Sequence, residues 1–133
     1  MTRAIGAIGG DVKVSGDEIF NVAILGNIAA ITSSEFLFGQ SQSALELHLN
    51  FIDAVVVAVS ETVVVELLQD VESGGSFATS IVLQTYTNET IAANTMFEYV
   101  PTDDILPYCK LKVTTTEDHH TKTMSAYLTH IAR

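Results

Sequence analysis

An alternation of apolar and polar residues, with a period of two, constrains the fold of this chain more than any other feature. In Leu45–Phe51 every odd position is a large apolar residue and every even position is polar. Successive side chains of a β-strand point to opposite faces, so this pattern is typical of a strand with one face on a core and one in solvent. The segment Tyr108–Thr115 repeats the pattern, with Cys109, Leu111 and Val113 facing inward.

Valine and glycine extend the strand pattern along the chain. Residues 62–69 are dominated by valine and leucine, and the branched side chain of valine disfavours helices and suits a pleated sheet. Gly74 and Gly75 predict the turn of a hairpin, with residues 77–83 as the returning strand. The remaining predictions are a strand at 95–100, a strand at 123–131, a loop at 88–90, one short strand plus a loop within 19–31, and either strand or helix at 52–59.

The pattern as a whole predicts an all-β fold in a single domain. Several short strands are separated by turn signals, prolines are few and helical periodicity is almost absent, which is typical of an antiparallel β-sandwich or a barrel. Residues 18–133 are assigned to this domain, and the glycine-bearing residues 1–17 to an extended N-terminal arm. Because strand 62–69 is apolar on both faces, we expect cover by a second sheet and by a neighbouring subunit, and hence an oligomer.

Lysine and arginine are absent from the whole of 14–109, although that span carries thirteen of the sixteen acids. With a formal net charge of −10, such a body is unsuited to neutralising phosphates, so neither nucleic acid nor an anionic membrane surface is an expected partner. No run approaches the roughly 18 apolar residues that span a bilayer, and the N-terminus lacks the apolar core of a signal peptide. We expect a soluble protein that is made in the cytoplasm.

The side chains that usually carry chemistry do not converge in this sequence. His119 and His120 are adjacent and would point to opposite faces of a strand, which favours a solvated turn over a metal site, and His48 has no partner at ligand spacing. Asp103–Asp104 lies in a loop between two prolines and is expected to be a solvated turn, not an acid–base pair. The apolar neighbours of Cys109 favour a small buried side chain over a reactive thiol. No enzymatic activity and no cofactor are therefore expected.

Four ordered segments carry a family resemblance. They are Leu45-Glu46-Leu47-His48-Leu49, the stretch Val63–Asp70 with glycines following, residues 107–113, and a closing Met124-Ser125-Ala126-Tyr127-Leu128. In strand order and in short apolar-polar signatures, this set resembles the jelly-roll capsid cement proteins of tailed bacteriophages, of the type found in a Bordetella podovirus. The resemblance covers roughly residues 35–133.

The resemblance implies a jelly-roll β-sandwich that forms homotrimers on the outer capsid surface of the virion and bridges neighbouring major capsid proteins. Clamping a shell needs rigid subunits and several simultaneous contacts, not catalysis. The N-terminal arm would contact either its own trimer or the capsid shell. The candidate contact residues are bases outside the acidic span and apolar residues of the arm: Arg3, Ile5, Ile8, Val12, Lys13, Lys110 and Lys112.

A carbohydrate-binding or receptor-binding β-sandwich module of a phage tail is the alternative function. It would need exposed aromatic side chains on which a sugar ring stacks. The chain has no tryptophan and only four tyrosines, which disfavours this alternative.

Overall fold

Eleven β-strands and no helix are found in the computed structural model, which describes residues 18–25, 28–39, 45–102 and 104–130. The strands are β1 (Glu18–Ile24), β2 (Ala30–Thr32), β3 (Phe36–Leu37), β4 (Leu45–Phe51), β5 (Val55–Val57), β6 (Val63–Asp70), β7 (Thr79–Tyr86), β8 (Glu89–Ile91), β9 (Thr95–Tyr99), β10 (Tyr108–Thr115) and β11 (Thr123–His130). Every strand pair is antiparallel. The predicted all-β, antiparallel architecture is therefore confirmed.

These strands form two larger sheets and one two-stranded ribbon. The first sheet has the strand order β1-β11-β4-β9. The second has the order β2-β10-β6-β7, and β3 pairs with β10 along the same edge as β2. The ribbon consists of β5 and β8. The two larger sheets pack together as a β-sandwich, and both contribute side chains to one buried core.

The period of two places one face of each central strand in the core. In β4 the odd positions are buried and the even positions are half-buried. The strands β6, β10 and β11 follow the same rule, with these buried members: Val63, Val65, Leu67, Cys109, Leu111, Val113, Met124, Ala126 and Leu128. Burying one large aliphatic side chain stabilises a fold by about 1.5 to 3 kcal/mol, so apolar burial is the main force that holds the two sheets together.

The turn between β6 and β7 depends on one carboxylate and two glycines. Asp70 accepts hydrogen bonds from the backbone N–H groups of Glu72 and Phe77, each at 3.0 Å. Gly74 has a φ of 77°, as the predicted hairpin turn requires. A Cβ atom on Gly75 would collide with the carboxylate of Asp70. The hairpin is therefore confirmed, but Gly75 is needed for space and only Gly74 for its backbone angle.

The returning strand of this hairpin begins two residues later than predicted. It starts at Thr79 and extends to Tyr86. Phe77 has a φ of 53° and donates its N–H to Asp70, so it belongs to the turn although its ring is buried. The apolar sequence predicts that Phe77 pairs within the strand, but its N–H is bound by the carboxylate of Asp70 instead.

The ribbon of β5 and β8 corrects two further predictions. The loop predicted at 88–90 is wrong, because β8 begins at Glu89 and pairs with β5. The helical alternative for residues 52–59 is wrong for the same reason.

Residues 19–31 contain β1 and the start of β2, not one strand, since β11 and β10 supply their pairing partners. Strands of two or three residues have little periodicity of their own, and distant partners determine them.

Acid is expected to destabilise two connections of the sandwich. Asp53 accepts hydrogen bonds from the hydroxyl and the N–H of Thr123, which lower the pKa of its carboxyl below the ordinary value of 3.8. The N–H donors of Glu72 and Phe77 lower the pKa of the Asp70 carboxyl in the same direction. The unfolded chain then binds more protons than the folded one, so stability is complete above about pH 5 and is lost as the pH falls through the folded-state pKa values.

Thermal unfolding of the wild-type chain and of the Asp53→Asn variant, from about pH 3 to pH 7, measures this effect. The variant should have a lower Tm than the wild type at neutral pH, because the amide oxygen is a weaker acceptor than a carboxylate. It should also lose less Tm on acidification. Equal losses of Tm in the two chains would exclude Asp53 as a source of the acid sensitivity.

Candidate functional site

Five of the seven candidate contact residues, those of the predicted arm, lie outside the described residues: Arg3, Ile5, Ile8, Val12 and Lys13. The other two, Lys110 and Lys112, lie on β10 in the middle of the second sheet. Both alternate with the buried Cys109, Leu111 and Val113 and are half-buried on the outer face, as the alternation predicts. The two lysines therefore belong to a sheet face and not to an end of the sandwich.

The outer face of the second sheet combines these lysines with apolar and acidic neighbours. Lys110 is opposite Leu68 in register, and its Nζ is 4.6 Å from the centre of the Phe77 ring, a cation–π contact. Lys112 is opposite Glu66. Among the described residues, neither lysine nitrogen forms an ion pair with a carboxylate. Lysine stems cover apolar surface while their ammonium groups remain in water, so this face is largely covered by its own side chains.

One end of the sandwich is joined by hydrogen bonds between the connections that meet there. The N–H of Leu25, after β1, donates to the carbonyl of Lys122, before β11, at 2.9 Å. Three further backbone hydrogen bonds join neighbouring segments at this end. The N–H of Thr115, at the end of β10, donates to the carbonyl of Ala29, before β2. The N–H of Thr116, after β10, donates to Thr62, before β6, and the N–H of Asn88, after β7, donates to Ala58, after β5. The chain segments at this end therefore hold one another in place.

Four large β-branched side chains are exposed on these same segments. Ile24, Ile28, Val56 and Val59 are between 57% and 71% exposed, and we name these four residues the apolar end. Ile28 also has a φ of 54°, a backbone conformation that β-branched residues rarely adopt. Exposed apolar residues concentrated on one surface are typical of an interaction site. The apolar end is the clearest candidate contact surface in the described residues.

The two adjacent histidines lie in the β10–β11 connection at this end of the sandwich. His119 is buried, and its Nε2 is 3.4 Å from Oε1 of Glu117 without forming a hydrogen bond, while that oxygen accepts the N–H of Ala58. The side chain of His120 is 63% exposed and pairs with Asp118. The two imidazoles therefore have separate surroundings. The described residues contain no group of three side chains arranged to hold a metal ion.

His48 has partners that its sequence spacing did not reveal. On the outer face of the first sheet, its Nε2 is 3.0 Å from Oε1 of Glu46 and its Nδ1 is 3.6 Å from Oε2 of Glu98. Its ring stacks on Tyr127 with a centroid distance of 5.1 Å. The pairing of β4 with β9 and β11 brings Glu98 and Tyr127, which are distant in the sequence, beside His48. Glu46 was the sign in the sequence that His48 has a hydrogen-bonding partner, because it lies two positions away and therefore on the same face of β4.

Cys109 is buried in the core, and Asp104 lies in an exposed turn. Cys109 is fully buried, as predicted, and burial raises the pKa of its thiol to about 12, so a reactive thiolate does not form at neutral pH. Asp104 is exposed and accepts a hydrogen bond from the hydroxyl of Thr102, which lowers the pKa of its carboxyl. Asp104 thus lies in an exposed turn, as predicted, and its hydrogen bond joins two side chains. Asp103 lies outside the described residues.

The fold and these surfaces define an antiparallel β-sandwich with exposed apolar residues at one end. Comparisons with protein-family models, with curated proteins and with solved structures give no match. Within the part of the chain that is described, no helix is long and apolar enough to cross a membrane. The function therefore has to be inferred from the fold and its surfaces.

Proposed function

We propose that this protein is a virion structural protein, a capsid cement or decoration protein that forms homotrimers on the exterior of a phage head. There it bridges and stabilises neighbouring major capsid proteins. The observation that carries the proposal is the nested pairing of the strands. β1 pairs with β11, β2 and β3 pair with β10, β4 pairs with β9, and β6 pairs with β7.

Nested pairing of this kind supports a jelly roll. One long hairpin, folded over so that successive pairs alternate between two sheets, gives the orders β1-β11-β4-β9 and β2-β10-β6-β7. Jelly rolls occur in viral capsid and lectin domains. The strand order thus supports the same fold that the resemblance to capsid cement proteins implies.

The apolar end supports a clamping role. Its exposed valines and isoleucines offer contact area to a protein partner without requiring basic residues, which the acidic body lacks over most of its length. In a trimer this surface would be present three times. Linked contacts of this kind increase overall affinity by about 10² to 10⁴ without any new type of interaction. Moderate contacts at three apolar ends would therefore suffice for stable attachment.

Sugar binding is the weaker candidate function. Stacking on a sugar ring needs an aromatic face that is open to solvent. None of the aromatic side chains that the structure describes is exposed, and Tyr127 already stacks on His48. The aromatic residues of the described fold are thus used for packing.

Two measurements test the proposed function. Light scattering during size-exclusion chromatography should give three times the chain mass of 14.3 kDa. The purified protein should also sediment with heads of the phage that encodes it, after their surface proteins have been stripped, and should raise the temperature at which the heads open. A stable monomer that does not sediment with heads would contradict the proposal, and binding to a glycan array instead would favour the sugar-binding alternative.

A further inference from the structure

Four strand edges border the two sheets, and three of them are protected. An unpaired edge is a template for another strand, and proteins protect edges by irregular pairing, short strands, charges or prolines. β1 has two register irregularities, and β2 and β3 have only three and two residues. β9 carries Glu98 and is closely followed by Pro101. These three edges are poor templates for a further strand.

The fourth edge, β7, is the longest and least protected. Its eight residues include no charge and no proline, and one bulge opposite Val65 and Glu66 is its only irregularity. The side of β7 that faces away from β6 pairs with no described strand. A long, uncharged edge is the kind to which an extended segment adds through main-chain hydrogen bonds.

The core is incompletely covered along the edges of the sandwich, and the side where β7 lies is one of them. Ile81 and Leu83 of β7 pack against the core but are only half-buried. The same holds for Phe97 and Tyr99 of β9, the edge strand on the corresponding side of the other sheet. Leu111, in the central strand β10, is fully buried by contrast. A strand added beside β7 would shield these four side chains from water.

Acids lie at both ends of this edge, and Lys110 of β10 also reaches the ring of Phe77 in the turn before it. Glu72 lies in the turn before β7, and Glu89 begins the strand that follows it. Glu61 is at the same end as Glu89, because its carbonyl accepts the hydroxyl of Thr87 at 2.7 Å. No lysine or arginine occurs anywhere from residue 14 to residue 109. A strand that complements this edge therefore has an uncharged middle and a base at each end.

The N-terminal segment of the chain has this pattern. Arg3 and Lys13 enclose nine residues, 4–12, of which only Asp11 is charged. At about 3.3 Å per residue, these nine residues extend for about 30 Å and the eight residues of β7 for about 26 Å. The two bases can thus reach both acidic ends while the apolar residues between them lie along the edge.

We propose that residues 4–12 of one copy add to β7 of a second copy as an extra strand. Arg3 and Lys13 then lie at the two acidic ends of the edge, and Ile8 and Val12, which share one face of an extended segment, cover Ile81 and Leu83. The inference rests on the self-association in the proposed function and specifies the contact that produces it.

Distances disfavour the same copy as the source of the strand. β1 leads directly into β2, so β1 lies over the edge of the second sheet that is opposite β7. A strand added outside β7 would be four strand spacings and one sheet spacing away from β1. The straight-line distance between the two strands, through the core, is therefore about 22 Å. The chain from residue 12 to residue 18 spans at most about 22 Å, and any path around the sandwich is longer.

Cross-linking between full-length chains tests the proposal. Chains with Ala7→Cys, near the middle of the segment and on the strand face opposite to Ile8 and Val12, are refolded together with tagged chains carrying Val82→Cys, an exposed position on the outer face of β7. A short bis-maleimide should then join one chain of each kind. The native Cys109 is fully buried, so the wild-type chain is the unreactive control. A mixture of Ala7→Cys with Ser125→Cys, on the central strand β11, should give no mixed dimer.

Three results would overturn the proposal. The first is the absence of a mixed dimer. The second is a dimer formed by Val82→Cys chains alone, which would assign the edge to a second β7. The third is cross-linking only within single chains that carry both substitutions, which would assign the edge to the segment of the same copy. No capsid is present in this experiment, so chains that cross-link but do not bind heads would contradict the proposed function alone.

Charge exchange tests the role of the two bases. Arg3→Glu together with Lys13→Glu should lower the yield of mixed dimer roughly fivefold, since exposed ion pairs contribute modestly. Adding Glu72→Lys and Glu89→Lys to the β7 partner should restore the yield. An unchanged yield in the first variant, or no recovery in the second, would overturn the placement of the bases at the acidic ends.

Discussion

Replacement of Leu111 by alanine is expected to lower the free energy of unfolding by about 2 to 5 kcal/mol. Leu111 is fully buried on β10, opposite Leu67 of β6, and its N–H donates to the hydroxyl of Ser33 at 2.9 Å. Because neighbouring strands hold the backbone on both sides, the sheet cannot collapse into the cavity that the shorter side chain leaves. The loss therefore includes both the transfer free energy of the removed atoms and the cost of the cavity.

Urea unfolding of the Leu111→Ala variant measures this loss, and Lys112→Ala is its matched control. Lys112 is the next residue of the same strand but lies on the outer face of the sheet. Its replacement should change the free energy of unfolding by less than about 1 kcal/mol. Similar losses in the two variants would mean that the outer face is as well packed as the core, and the assignment of the two faces of β10 would be wrong.

Replacement of Val56 and Val59 by aspartate is expected to abolish attachment to phage heads. Both side chains are exposed at the apolar end, so the folded subunit tolerates a charge there. An interface that buries the same positions has to desolvate an unpaired carboxylate at each of them. A tenfold loss of affinity for each subunit, which corresponds to about 1.4 kcal/mol, becomes a loss of up to about a thousandfold when three subunits bind together.

Co-sedimentation with stripped heads measures this loss, and Val71→Asp is the control. Val71 is 60% exposed but lies in the turn after β6, at the opposite end of the sandwich. The control variant should bind heads as the wild type does, and both variants should retain the Tm and the mass in solution of the wild type. Equal binding by all three proteins would remove the apolar end as the capsid contact.

The strands with a full alternation could be predicted from the sequence. The bounds of β4 and β10 agree with the prediction, because in each strand the alternation of apolar and polar residues shows which face is buried. The directions of Lys110 and Lys112 followed from the same alternation. A side chain's direction is thus a local property when the strand is long enough to show a period.

Elements that depend on distant partners could not be predicted in this way. β8 is only three residues long and exists because β5 pairs with it. Phe77 looks like the first residue of a strand, but the carboxylate of Asp70 binds its N–H and retains it in the turn. In both cases the deciding hydrogen bond joins residues whose proximity only the folded chain establishes.

The candidate contact surface had no signal in the sequence. Ile19 and Ile24 are both aliphatic residues of β1, yet Ile19 is buried and Ile24 is exposed at the apolar end. An odd number of positions separates them, so their side chains point to opposite faces of β1, and the apolar residues at both positions conceal which face meets the core. The partners of His48 were missed for a related reason, since Glu98 reaches it from another strand.

The nested order of the strands has a consequence for synthesis on the ribosome. The last two strands of the described chain, β10 and β11, occupy interior positions, one in each sheet. Until β11 emerges, β1 has no partner, and until β10 emerges, β2 and β3 have none. Pairings between such distant segments also form slowly. A nascent chain interrupted before residue 108 can complete neither sheet, so prematurely terminated products are left without a sandwich and are exposed to proteolysis instead of entering an assembly.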